Sequence, residues 1–255
     1  IGRFRGLLWE QLSFALYLAL HRKKGVNLCT AVPLLWPFGI NAIHDVMLRR
    51  YGTLRRHMRP LWRLLLGLDY LLAARCADRV VTVSDESRND ICNFYGIPWE
   101  RVSVAGNSWQ HMERIRPEQP SLGFGLEEGK FFLALSSNRI QKNFAWVERV
   151  ARANPSSQFV IVGGKDFQQD VASSGAPANL HYVGSLPDGE VKYLYGSCRA
   201  FLFPSIAEGF GIPPMEALSC GARVVCSNSS CLPEIYGNYV YYVSPYDYAV
   251  DLDAL

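Results

Sequence analysis

Residues 200–220 read AFLFPSIAEGFGIPPMEALSC. Ala200 to Pro204 has the continuous apolar run of a buried strand, and Met215 to Cys220 has an apolar helical run. Between them, Gly209 and Gly211 can take backbone angles closed to other residues and let a ligand come close to the main chain. Pro213 and Pro214 suit a first helical turn, where an absent N–H costs nothing. The glycines therefore stand where a helix N-terminus turns unpaired N–H groups outward, a place for phosphate. Glu208 precedes this anion site, and Glu216 lies about one turn into the helix. Carboxylates are poor partners for phosphate but good acceptors for vicinal hydroxyls. The pattern predicts a ligand with a diphosphate in the middle and a sugar at each end. The plain alternative is a strand–turn–helix corner bearing two surface glutamates.

Around this stretch the C-terminal half alternates strand and helix signals. Strands are expected at 131–136, 158–163, 180–183, 200–203 and 223–226, and helices at 143–153, 188–195 and 213–220. The apolar runs are too continuous for a one-faced sheet, so a parallel sheet covered by helices follows. Ligands of such sheets bind beyond the carboxyl ends of the strands. Both Ser136–Lys142 and Glu208–Gly211 fall at such ends.

The N-terminal half is less regular. Strands are expected at 40–43, ending in His44 and Asp45, at 80–83, and at 101–105. Ser84 or Asp85 caps a helix through Phe94, stopped by Gly96 and Pro98. Pro117, Pro120 and Gly123 break any periodicity, which predicts an N-terminal domain over 1–118 and a C-terminal one over 119–255.

The 255 residues are enough to bury one or two cores, and six tryptophans argue against disorder. Seven cysteines are scattered, with no zinc-like spacing, so reduced thiols in a cytoplasmic setting are expected. No run reaches the roughly 20 apolar residues needed to span a bilayer. Glu10 and Gln11 interrupt the apolar stretch behind Arg3 and Arg5, and no small-residue cleavage site follows, so this stretch is not expected to be a signal peptide. Residues 1–118 carry 17 Lys and Arg against 10 Asp and Glu, whereas 119–255 carry 9 against 13. Much of the excess lies in Arg49, Arg50, Arg55, Arg56, Arg59 and Arg63. It reads either as a solvated helix face or as a contact with an anionic membrane surface or lipid diphosphate. No nucleic-acid-reading motif is present. Gly163-Gly164-Lys165 fits neither the dinucleotide fingerprint nor a phosphate-binding loop, which weighs against a dehydrogenase.

Glu208 and Glu216 have the spacing of a Glu-x7-Glu pair, and the chain resembles the retaining glycosyltransferases of family 4. IHD (43–45), TVSDESRND (82–90), YGIP (95–98), SSNRIQKN (136–143) and LPEIYG (232–237) are similar to landmarks of that family in the same order. The resemblance implies an α/β GT-B fold, two Rossmann-like domains with a cleft between them. It also implies a partial chain, with the N-terminal acceptor-side domain incomplete and the C-terminal donor-binding domain truncated at its end. The implied activity is transfer of a hexose-type sugar, mannose among the candidates, from a GDP-, UDP- or dTDP-sugar to a glycan or lipid-linked acceptor in polysaccharide biosynthesis. No cofactor beyond that donor and no metal are expected, because no Asp-x-Asp motif sits in a plausible loop; DLD at 251–253 reads as chance. The expected location is cytoplasmic, with possible peripheral contact at an anionic membrane face. The alternative is a non-catalytic nucleotide-sugar-binding module or subunit.

Breaking a sugar–diphosphate bond requires positive charge at the leaving group. Lys142, just after a strand, is the first candidate and Arg139 the second; many family members carry the arginine five residues before the lysine, where this chain has Ser137. By resemblance Glu216 takes the ribose hydroxyls and Glu208 the transferred sugar near its 3-hydroxyl. The amides of Gly209, Phe210 and Gly211 meet sugar or phosphate, and Val183, Ser185 and Leu186 border the nucleobase. His44 is expected to line the donor sugar, with no general base assigned because the family reaction is viewed as front-face attack. Ser84 and Arg88 are weaker candidates for the cleft, Ser84 serving equally well as a helix cap. Trp109 and His111 in GNSWQHM are further candidates, with core packing the better role for the tryptophan.

Overall fold

A computed structural model of the chain describes residues 4–28, 32–50, 60–136, 139–163 and 175–252. Two compact units, Ile1–Gly106 and Asn107–Leu255, carry one sheet each.

The first unit opens with a helical stretch formed by α1 (Gly6–Leu8), a π-helical segment (Trp9–Phe14) and α2 (Ala15–Leu20). Then come β1 (Gly25–Asn27), β2 (Gly39–Ala42), α3 (Met47–Arg50), α4 (Pro60–Cys76), β3 (Arg79–Thr82), α5 (Asp85–Tyr95) and β4 (Val102–Val104). The strands lie in the order β1-β2-β3-β4, all parallel. Ala73 and Ala74 of α4 and Ile91 and Tyr95 of α5 pack with Ile43, Val80 and Val102 to form its core. Asn27 and Asn41 sit buried in neighbouring strands, and the Asn27 amide donates to Asn41 Oδ1 at 2.6 Å. The Asn41 amide in turn donates to the Pro37 and Ala73 carbonyls, so this buried polar pair is satisfied.

The second unit contains β5 (Phe131–Ser136), α6 (Phe144–Ala153), β6 (Gln158–Gly163), β7 (Leu180–Gly184), α7 (Asp188–Ser197), β8 (Ala200–Phe203), α8 (Ile212–Ser219), β9 (Val224–Ser227), α9 (Leu232–Tyr236) and β10 (Tyr241–Val243). Its parallel sheet runs β10-β9-β8-β5-β6-β7. The chain thus winds from β5 outward through β6 and β7, then returns beside β5 and winds the other way. Side-chain alternation along β5 supplies both faces: Phe131 and Leu133 enter one core, Phe132 and Ala134 the other. Burial on both faces is why these strands read as continuous apolar runs.

Residues 107–118 lie with the second unit, although Pro117 and Pro120 put the sequence boundary after them. Met112 enters its core, the Lys192 ammonium donates to the Met112 and Ile115 carbonyls at 2.7 and 2.8 Å, and the Glu118 amide donates to the Gly189 carbonyl. Of the arginine cluster, Arg55, Arg56 and Arg59 and the Arg49 side chain lie outside the described residues. Arg50 pairs with Glu86 and with Asp90.

Candidate functional site

The order of the second sheet makes a switch point between β5 and β8, where neighbouring strands send their connections to opposite sides. In open α/β sheets this is where the carboxyl ends leave a crevice for ligand. The two stretches singled out in the sequence leave these two strands. After β5, a tight turn at Ile140–Lys142 ends in Lys142. After β8, the loop carries Glu208 and Gly209 into α8.

Lys142 Nζ lies 2.7 Å from Glu208 Oε1, with side-chain exposures of 26% and 10%. Asn143, in the left-handed region at φ +54°, starts α6. Its amide donates to the Pro204 carbonyl after β8 and to the Pro245 carbonyl after β10, at 3.0 and 2.8 Å. Ser230, following β9, accepts from the Glu208 amide and donates to the Glu208 carbonyl. The Glu208 backbone is thereby fixed from the neighbouring loop.

Gly211 is the residue before α8, at φ +81°. A Cβ there would stand 2.7 Å from Leu232 Cδ2, so both conformation and space require glycine. Tyr236 donates its hydroxyl to the Gly211 carbonyl. Phe210 buries its ring, and Gly209 is buried beside it. Helix α8 starts at Ile212, with the two prolines in its first turn as expected.

Glu216, 18% exposed, has a separate donor on each oxygen. His111 Nε2, on a half-exposed ring, is 2.9 Å from Oε1. The buried Tyr195 hydroxyl is 3.3 Å from Oε2. Burial first and the Glu216 charge second push the Tyr195 phenol well above its ordinary range, which keeps it a donor. Sequence reasoning named His111 but did not connect it to Glu216. Tyr195 went unrecognised because its helical pattern already accounts for it as core. Trp109 is half-buried rather than packed in the core; Met112 takes that role.

The remaining candidates are spread out. Arg139 is exposed where the Lys142 turn begins, and Ser137 lies outside the described residues. Val183 and Leu186 pack against the core at the end of β7, the outermost strand on that side. Ser185 donates to the Gly163 carbonyl at the end of β6. In the first unit, His44 follows β2, and its Nε2 lies 2.9 Å from the Leu28 carbonyl, which places the ring proton on Nε2. Ser84 caps α5 by accepting from the Ser87 amide, and Arg88 stacks on Trp99 at 3.8 Å. Both have structural roles there. Gly164, Lys165 and Asp253 lie outside the described residues.

A parallel α/β sheet of this order, with a cation, two carboxylates and a glycine turn beyond its switch point, offers a crevice of the kind that ligands of such sheets occupy. Residues 125–252 match the family described as glycosyl transferases group 1, and the chain belongs to that family. It is 28% identical over 257 residues to O-antigen chain mannosyltransferase RfbU of Salmonella typhimurium, covering 96% of this chain and 69% of that protein. It is 30% identical over 185 residues to O-antigen chain mannosyltransferase B of Escherichia coli, covering 67% of this chain and 49% of that protein. The chain thus spans about half of one of these relatives and about two thirds of the other. Among solved structures, sucrose-phosphate synthase from Thermosynechococcus elongatus superposes with a TM-score of 0.65 at 16% identity, covering 97% of this chain and 68% of that one. The fold is the GT-B type expected.

Proposed function

We propose that the chain is the sugar-transferring part of a retaining, metal-independent glycosyltransferase. It moves a hexose, mannose first among the candidates, from a nucleoside diphosphate sugar to a glycan or lipid-linked acceptor in surface-polysaccharide synthesis. The observation that carries the reading is the Lys142–Glu208 pair at the switch point, beside the Gly211 turn and one helical turn from Glu216. The diphosphate lies against the start of α8, where backbone N–H groups and the helix dipole favour negative charge. Donor arrival exchanges the partners of the ion pair. Lys142 turns to the leaving diphosphate, whose growing charge it stabilises, and Glu208 accepts hydrogen bonds from the sugar hydroxyls. Glu216 accepts from the ribose. Val183, Ser185 and Leu186 border the base. The mannosyltransferase names of the two relatives support the choice of sugar.

Cytoplasmic location with peripheral membrane contact completes the reading. No helix among the described residues is long and apolar enough to cross a membrane. Leu8, Leu12, Leu16 and Leu20 are exposed at four-residue intervals, with Phe4 exposed just ahead of the helix. A four-residue step overshoots an α turn but undershoots the wider π turn, so the π segment Trp9–Phe14 holds the four leucines in one row. Arg22, Lys23 and Lys24 follow it, all exposed. An apolar row with adjoining basic side chains matches an anionic lipid surface.

Calorimetric titration with GDP, UDP and dTDP tests the donor site. Selective binding by the wild type is expected to weaken about ten- to a hundredfold in Glu216→Ala, the loss of charge-assisted hydrogen bonds worth roughly 1.5–3 kcal/mol. Equal affinity in the variant would remove Glu216 from the site.

A further inference from the structure

We infer that His111 is a positioning residue for the ribose-binding carboxylate: by donating from Nε2 to Glu216 Oε1 it fixes the rotamer in which Glu216 discriminates ribose hydroxyls. The inference rests on the proposed role of Glu216 and adds a residue to it.

Three observations carry it. The first is that the two Glu216 oxygens have different partners, His111 on Oε1 at 2.9 Å and Tyr195 on Oε2 at 3.3 Å. For an O–H···O bond 3.3 Å is long, so the His111 bond is the tighter restraint. A carboxylate has about four lone-pair positions, and one donor on each oxygen leaves one on each for a vicinal diol. The second is that the segment bearing His111 is anchored independently. His111 lies in a short 3-10 turn, Gln110–Arg114. Met112 is buried next to it, and Lys192 of α7 holds the Met112 and Ile115 carbonyls. Tyr195 belongs to the same helix, so α7 braces Glu216 both directly and through the His111 turn. The third is that the ring is half-exposed while Glu216 is 18% exposed. The imidazole therefore covers one flank of the carboxylate, and its loss would open that flank to water.

A side chain held from two directions spends less freedom on ligand arrival, so the effect of His111 falls on nucleotide affinity and on the preference for intact ribose. The experiment pairs GDP with 2′,3′-dideoxy-GDP, and UDP with 2′,3′-dideoxy-UDP, by calorimetry on the wild-type chain, Glu216→Ala, His111→Ala and His111→Gln. Wild type is expected to prefer the ribonucleotide, and Glu216→Ala to lose that preference. His111→Ala should reduce the preference about three- to tenfold, and His111→Gln, which keeps an N–H donor, should restore most of it. If His111→Ala keeps the wild-type preference while Glu216→Ala abolishes it, the inference fails and the donor-site reading stands. A His111→Gln as poor as His111→Ala would also overturn it, since donation is the proposed role. If Glu216→Ala itself leaves affinity and preference unchanged, the donor-site reading fails first.

Discussion

Little water reaches the Glu208 side chain, so its pairing with Lys142 matters more than an exposed pair would. Lys142, at 26% exposure, has more access to solvent than Glu208, at 10%. Removing the cation therefore leaves the less hydrated partner stranded. Lys142→Met is expected to destabilise the fold by on the order of 1–3 kcal/mol, and Glu208→Gln by less, because the released ammonium can hydrate. Urea unfolding of both variants measures the asymmetry; equal losses, or a larger one for Glu208→Gln, would refute it. At this scale the sequence was informative where residue type and spacing are unusual for a surface. Glu208 follows a strand among glycines, Lys142 follows another strand, and Glu216 completes the Glu-x7-Glu spacing in the helix beyond; nothing in a bland corner requires them. Tyr195 gave no such signal, since an apolar helix face accounts for an aromatic residue equally well.

Among the elements, the helical stretch at the start of the first unit makes the most distinctive demand. Burying the exposed row Leu8–Leu20 in an acyl boundary removes apolar area from water, and the adjoining cations add attraction to anionic lipid. Sedimentation with phosphatidylglycerol-containing vesicles at low salt should pull down the chain, and Leu12→Asp with Leu16→Asp should weaken that binding at least tenfold. Retention of the double variant at wild-type levels would remove this row from the membrane contact. Legibility among the elements follows length and burial. The buried strands β5, β6 and β8 were readable within a residue, because a short apolar run rich in aromatic and β-branched residues and bounded by polar turns fits a buried strand better than a helix. β1 was not, since three residues with Val26 exposed offer no pattern. α4 was equally obscure. Leu61, Trp62, Leu64, Leu65 and Leu68 are exposed while Ala73 and Ala74 are buried, so its apolar face does not mark its core face.

Across the whole molecule, fold class and family were open to reading because the α/β alternation and the Glu-x7-Glu pair are local in the chain. What the sequence withheld were contacts between distant segments, such as those that tie residues 107–118 to α7. The first unit holds another. Asp69 of α4 accepts from the Val32 amide at 2.9 Å, while Gln11 grips the Val32 carbonyl and the Leu34 amide. Burial raises the Asp69 carboxyl to about 6, with Glu10 adding to the rise and the Val32 bond opposing it. A folded-state value above the usual 3.8 means that the folded chain holds this proton more tightly. The associated stability is full below about pH 4 and disappears as pH rises through about 6. Allowing for solvent screening, the effect is on the order of 1–2 kcal/mol. Asp69→Asn should therefore gain in urea midpoint relative to wild type at pH 8 compared with pH 4.5; a gain confined to the acid side would contradict the assignment. In the second unit a single amide, that of Asn143, joins the exits of β5, β8 and β10. These three anchor points are thus joined when the chain folds rather than when a ligand arrives. Under the proposed donor role, the nucleotide would meet these exits already joined, and its residence would be governed by how well it fits rather than by how long the loops take to gather around it.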